Sequence, residues 1–181
     1  AFGCSTISAS NKEGGYYFGR NFDWNLCDAI IVMSYPKSGY ASLSTVNLDF
    51  IKQGAGPELL SDKTIIAASL YAPLDGMNEK GLSGAILNLP DACVWNKAPI
   101  SDGINLLPTD VSFYCLSQFS SVTELKAAIH QLNIVAPEDH PFAKTTQIHW
   151  MFCDKTGESI VVEQTESGLC IYDNPIGVLT N

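Results

Sequence analysis

No stretch of this chain stays apolar for the roughly 18 residues that a membrane-crossing helix needs. The longest apolar runs, around Ile30 to Met33 and Ile65 to Leu70, are the length of a strand, so no membrane partner is expected. Runs of lysine and arginine are missing as well. Ten basic residues stand against nineteen acidic ones, for a net charge of −9, which makes nucleic acid a poor partner. Histidines are scarce: His130, His140 and His149 fall in a helix-like segment, a proline-rich loop and a strand, without ligand spacing. No metal site is expected from them, and no cofactor is expected either. The cysteines at 4, 27, 93, 115, 153 and 170 include no CxxC pair. Their spacings argue against a disulfide framework and for free, mostly buried thiols that pack as small hydrophobes. Internal repeats and low-complexity linkers are absent too, so the sequence shows no domain boundary. A leader removed before Ala1 would leave no trace, and the compartment, cytoplasmic or exported, stays open, as does a homo-oligomer.

What is present suffices for a packed core. The chain has 181 residues, 46% of them hydrophobic, enough for one domain or most of one. The runs CSTISAS and YYFGRNFDW, separated by NKEGG, predict a hairpin. AIIVMSYP and KTIIAASLYA read as further strands, DGMNEKG as a turn, and LSGAILNL as a strand again. Helices are predicted over LPTDVSFYCLSQFSS, with Asp110 in its first turn, and over SVTELKAAIHQLN. The second opens on a capping box from Ser121 to Glu124 and carries Val122, Leu125, Ile129 and Leu132 on one stripe. TTQIHWMFCD, SIVVEQT and LCIYDN then predict a meander of three strands. Strands, a helix pair and strands again make an α+β order, with helices packed on antiparallel sheets.

The chemistry centres on Cys4, which follows a short Ala-Phe-Gly stub. As an ordinary thiol it needs no explanation. With the stub removed, it becomes a chain terminus carrying both a thiol and a free amine, a nucleophile with its own base. Arg20 and Asp23, in GRNFDW, lie on the strand expected to pair beside it. Strict alternation would send these two to opposite faces, so a twist or bulge is needed for both to reach Cys4; the alternative is a local ion pair on a strand edge. Trp24 and Trp150 read as core aromatics, and Asn78 to Gly81 as a tight turn.

Taken together, CSTI, GRNFDW, DGMNEKGLSGAILN, HW, TGESIVVE and YDNPIGVLTN, in that order, resemble the choloylglycine hydrolase and penicillin V acylase family. The resemblance covers most of the chain. It implies an αββα N-terminal-nucleophile hydrolase fold, incomplete in this chain, with residues 1–3 as a residual propeptide and 4–181 as the N-terminal part of a single domain. It implies that Cys4 is the nucleophile, that Asp23 orients its amine, and that Arg20 lies beside the sulfur. Asn181 then donates its side-chain amide to the oxyanion, and Asn88 supplies a backbone N–H. Cys27, Cys93, Cys115, Cys153 and Cys170 match no catalytic position.

The activity so implied is hydrolysis of a linear N-acyl amide, a small-molecule substrate with an apolar acyl half, released to action by cleavage after Gly3. Conjugated bile salts are the first expectation, because Asn88 stands where penicillin V acylases often carry tyrosine. Penicillin V, N-acyl-homoserine lactones and acyl transfer are the alternatives. From another class, an inactive fragment or a non-catalytic binding domain would keep the same motifs as scaffold. Relatives of this family continue past the position of Asn181, so the remainder of the protein is expected elsewhere.

Overall fold

The computed structural model describes residues 3–24, 28–55, 62–137 and 146–181. Ala1, Phe2, Cys27 and His140 of the sequence reading lie outside these residues. The chain opens with the expected hairpin, β1 (Ser5–Ser10) and β2 (Tyr16–Asn21), with Thr6 opposite Arg20. Then come β3 (Ala29–Ser34), β4 (Ser42–Asn47), helices α1 (Leu48–Ala55) and α2 (Asp62–Ser69), β5 (Asp75–Asn78) and β6 (Ser83–Asn88). A short strand β7 (Ile104–Leu106) precedes helices α3 (Val111–Gln118) and α4 (Val122–Ala128) and the strand β8 (Leu132–Ile134), which pairs parallel with β7. The predicted meander follows as β9 (Ile148–Cys153), β10 (Ser159–Thr165) and β11 (Gly168–Asp173), and β12 (Val178–Thr180) returns to pair with β1.

These strands build two main sheets. One has seven strands in the order β11-β10-β9-β6-β5-β4-β3, the other three in the order β12-β1-β2. Every pairing in both is antiparallel. Alternation divides the large sheet cleanly. Ile86, Trp150, Phe152, Ile160 and Val162 face α3 and α4, where they meet Val111, Cys115, Val122, Leu125 and Ile129 in one buried cluster. Each large side chain so buried contributes roughly 1.5–3 kcal/mol. Gly84 makes room for this layer, because a Cβ there would collide with the Phe152 ring. On the opposite face Cys4, Ala85 and Leu87 form a second cluster under Phe18, Phe22 and Leu179 of the small sheet. Thr6 donates to Met151 Sδ across the gap at 3.0 Å. Helices, large sheet and small sheet are thus three stacked layers of an αββα arrangement.

Several local expectations need correction. KTIIAASLYA is helical over α2, not a strand: Ile65, Ala68 and Ser69 turn inward while Lys63, Thr64 and Ile66 stay exposed. A short continuous apolar run carries no alternation, so its period alone does not separate helix from strand. Conversely, the start of DGMNEKG is a strand, and only its second half turns. Gly76 permits this, since a Cβ there would strike Ser44 and the Leu43 carbonyl of the neighbouring strand. Trp150 is fully buried as expected, but Trp24 is 37% exposed and stacks on Phe22 at 6.2 Å. The α4 stripe is buried as predicted. Its capping box is offset by one residue: Ser121 accepts from the Glu124 N–H, and Glu124 accepts from the N–H of Ser120.

Asn78 anchors the β5–β6 turn to the helical layer. Its Nδ2 donates to the carbonyls of Leu116 and Phe119, both at 2.8 Å, and its Oδ1 accepts from the N–H groups of Lys80 and Leu82. Substituting alanine leaves buried carbonyls and amides without partners, so Asn78→Ala should cost about 3 kcal/mol in urea unfolding. A loss below about 0.5 kcal/mol would mean that the turn does not depend on this side chain.

Candidate active site

Cys4 precedes β1 and lies 5% exposed against Ala85 and Leu87, at the seam between the sheets. Its position follows from alternation along β1: Thr6 turns inward onto Met151, and Cys4, two residues earlier, turns the same way. On β2 the partner of Thr6 is Arg20, which therefore also points into the seam. Its guanidinium spans the gap. Nη1 bonds Asp75 Oδ2 at 3.0 Å, and Nη2 bonds the Ile86 carbonyl at 2.6 Å and lies 3.8 Å from Cys4 Sγ. The Phe22 ring covers it at 4.6 Å.

The Ile86 carbonyl is available for a structural reason. Ile86 donates its N–H to the Leu74 carbonyl, but the Leu74 N–H turns to Thr45 instead of returning the bond. The ladder is left one bond short there, and Arg20 fills the place.

Asn181, just after β12, ties this corner together. Its N–H meets the Cys4 carbonyl at 3.4 Å, and its Oδ1 accepts from the Asn88 N–H at 3.1 Å. That bond orients the carboxamide and places its NH2 end away from Asn88. In this arrangement the Asn88 N–H is engaged with Asn181, so donating to a substrate oxygen requires it to exchange partners. Asp23 lies past the end of β2 and is exposed. Alternation does not govern it there, and among the described residues its carboxylate forms no hydrogen bond or ion pair with Cys4. The structure therefore brings Cys4, Arg20, Asn88 and Asn181 together and leaves Asp23 at the rim.

Asp75 was missed in the sequence, because DGMNEKG reads as turn chemistry. Its pairing with Arg20 depends on residues 75–78 being a strand, which that string does not signal. Cys93, Cys115, Cys153 and Cys170 are free, in keeping with the sequence reading. The described residues contain no His, Cys, Asp and Glu cluster suited to a metal ion, and none of their helices is long and apolar enough to cross a membrane.

Two stacked antiparallel sheets covered by helices, with a buried cysteine at the head of the first strand, make the fold of the N-terminal-nucleophile hydrolases. The chain belongs to the linear amide C–N hydrolases, choloylglycine hydrolase family, which it matches over residues 4–181. It is 37% identical to the bile salt hydrolase/transferase of Lactiplantibacillus plantarum over 179 residues, covering 98% of this chain and 52% of that protein. Identity to the Clostridium perfringens bile salt hydrolase/transferase is 35% over 185 residues, covering 98% and 53% respectively. The crystal structure of a conjugated bile acid hydrolase variant from Clostridium perfringens superposes with a TM-score of 0.77 at 32% identity, covering 97% of this chain and 52% of that one. The chain thus spans about half the length of the relatives it matches.

Burial separates the thiols that do not line the site. It pushes Cys93 and Cys153 up to about 11 and raises Cys115 further. Between about pH 7 and pH 9 these three remain thiols, and only the thiolate reacts. Iodoacetamide labelling followed by peptide mass spectrometry should therefore find Cys93 and Cys153 at least about tenfold slower than free cysteine at pH 8, accelerating as pH rises towards 11. Labelling of Cys93 at the rate of free cysteine would contradict the packing described.

Proposed function

We propose that the chain carries the nucleophile and oxyanion groups of a hydrolase for N-acyl amides, with conjugated bile salts as its substrates. The observation that carries this reading is the Arg20 guanidinium held 3.8 Å from the Cys4 sulfur inside the seam. A fixed positive charge there stabilises the negative charge that the sulfur carries when it attacks. The family match beginning at Cys4 supports the same reading.

In this mechanism the bond after Gly3 is cleaved first. Gly3 is exposed, and a Cβ built on it would meet nothing within 4 Å, so Gly3 itself is not packed into the fold. While it is attached, the Cys4 nitrogen is an amide without a basic lone pair. Once free, the α-amine has a reference pKa near 7.7–8.0 and can take the thiol proton at neutral pH. Asp23, at the rim, would orient that amine after cleavage. The sulfur then attacks the substrate carbonyl, and the protonated amine returns its proton to the leaving amine. The thioester formed is hydrolysed by water. Asn181 Nδ2 and the Asn88 N–H stabilise the oxyanion in both steps, each donor worth roughly 3 kcal/mol.

An apolar cavity lies two aromatic rings away from the arginine beside the thiol. A cavity of about 340 Å³ opens beside Phe50 and is walled by Ile51, Tyr71, Leu74 and Ile86. Phe50 packs edge-on against both Phe22 and Trp24, and Phe22 lies against Arg20. The packed rings of Phe22 and Phe50 thus lie between the Arg20 guanidinium and this cavity.

The reading is tested with protein made to begin at Cys4, assayed for release of glycine or taurine from bile salt conjugates. Cys4→Ser should fold normally and lose at least about a thousandfold in kcat, because a hydroxyl at neutral pH is far less nucleophilic than a thiolate. Asn181→Ala should lower kcat by about a hundredfold. Equal rates from the protein beginning at Cys4 and from one verified to retain Ala-Phe-Gly would overturn the reading.

A further inference from the structure

Arginine carries a long side chain with about 2 kcal/mol of rotamer entropy, yet its planar fork serves the thiol only in one orientation. The contact to Cys4 is the longest of the three that the fork makes, 3.8 Å against 2.6 Å to Ile86 and 3.0 Å to Asp75. The sulfur is therefore not what fixes the fork. A single carbonyl acceptor on Nη2 leaves the guanidinium free to rotate about that bond; a second acceptor on Nη1 stops the rotation. Asp75 is that second acceptor, and it pairs with a side chain only 6% exposed while itself 22% exposed. Two charged groups so placed form a strong, directional bond.

The backbone holds Asp75 in place. It sits opposite Ala85 on one side and Thr45 on the other, and the close approach at Gly76 locks β5 onto β4. Ala85 is also the floor beneath Cys4. Among the described residues, the hydrophobic side chains clustered with the thiol are Phe18, Phe22, Ala85, Leu87 and Leu179. The His149–Glu163 pair lies on the same sheet face, one strand beyond Leu87.

We propose that Asp75 is a positioning residue for the Cys4 thiolate: its carboxylate holds the Arg20 fork in the one rotation that keeps Nη2 on the sulfur. The role rests on the reading of Cys4 as nucleophile, but it acts on the thiol's own titration, which is measured without turnover.

The experiment uses protein beginning at Cys4, with isotopically labelled cysteine, and follows the Cys4 Cβ resonance with pH. The resonance is assigned by its loss in Cys4→Ser. Asp75→Asn keeps the shape and removes the charge-assisted bond, so the fork loosens. The thiolate fraction at pH 7 should fall about tenfold, a rise of about one pKa unit. Arg20→Met should raise the midpoint at least as far, and adding Asp75→Asn to it should move the midpoint no further, since the two act as one unit. An unchanged midpoint in Asp75→Asn would overturn the proposal. A lowered one would also overturn it, because it would make Asp75 a counter-charge that weakens Arg20. Equal shifts with and without Arg20 would show that Asp75 acts through something else. If Asp75→Asn does not fold, Asp75→Glu carries the test: the longer arm displaces the fork and should lower the thiolate fraction about threefold, and no change would overturn the proposal. Loss of amide hydrolysis in Cys4→Ser together with an unmoved midpoint in Asp75→Asn would sink the role of Asp75 alone.

Discussion

One buried guanidinium joins the two sheets. Arg20 leaves the small sheet, crosses the seam and bonds to both β5 and β6 of the large one. Desolvating such a charge costs several kcal/mol, a cost offset only where the geometry is good and the remaining donors are satisfied. Here a carboxylate, a carbonyl stranded by an incomplete ladder and the face of an aromatic ring supply that geometry. Among the described residues the Nε proton has no partner, so the arrangement is not optimised for stability alone. An apolar seam would pack the sheets at least as well. What the arginine adds is a fixed charge beside a thiol.

The rest of the corner follows from this crossing. Because Arg20 and Cys4 both turn inward at the same end of the β1–β2 hairpin, hairpin register decides their meeting. A slip of one residue would turn Arg20 outward and break the site along with the core. Because β12 pairs with β1 on its other edge, Asn181 arrives over the Cys4 carbonyl without any helix to carry it. Cys4, its charged neighbour Arg20 and Asn181 thus come from the ends of three adjacent strands. The large sheet contributes the floor, the Asn88 amide and the Asp75 anchor.

The hairpin, the capped helix and the closing meander were legible in the sequence because each has a local signal: NKEGG between two β-prone runs, Ser121 to Glu124 before an apolar stripe, and KTGE and ESG between alternating segments. The middle of the chain was not. Neither β4 nor α2 is legible there, because the polar run SLSTVN and the short apolar run of α2 give no decisive period. Asp75 is not legible for the same reason, since its contact with Arg20 depends on β5 being a strand. At the site, the family resemblance supplied Cys4, Arg20, Asn88 and Asn181, and the structure brings these four together. It could not show that the Asn88 N–H is bonded to Asn181, because that bond depends on where β6 ends relative to β12.

The account stands or falls on whether Cys4 is the atom that receives the acyl group. Protein beginning at Cys4 would be mixed with a conjugated bile salt, quenched in acid within the first turnover and digested for tandem mass spectrometry. The account predicts the acyl mass as a thioester on Cys4, and its absence in Arg20→Met under the same quench. An acyl group on Cys93, Cys153 or Cys170 instead, or release of the amine with no acyl-Cys4 formed at any quench time, would contradict it.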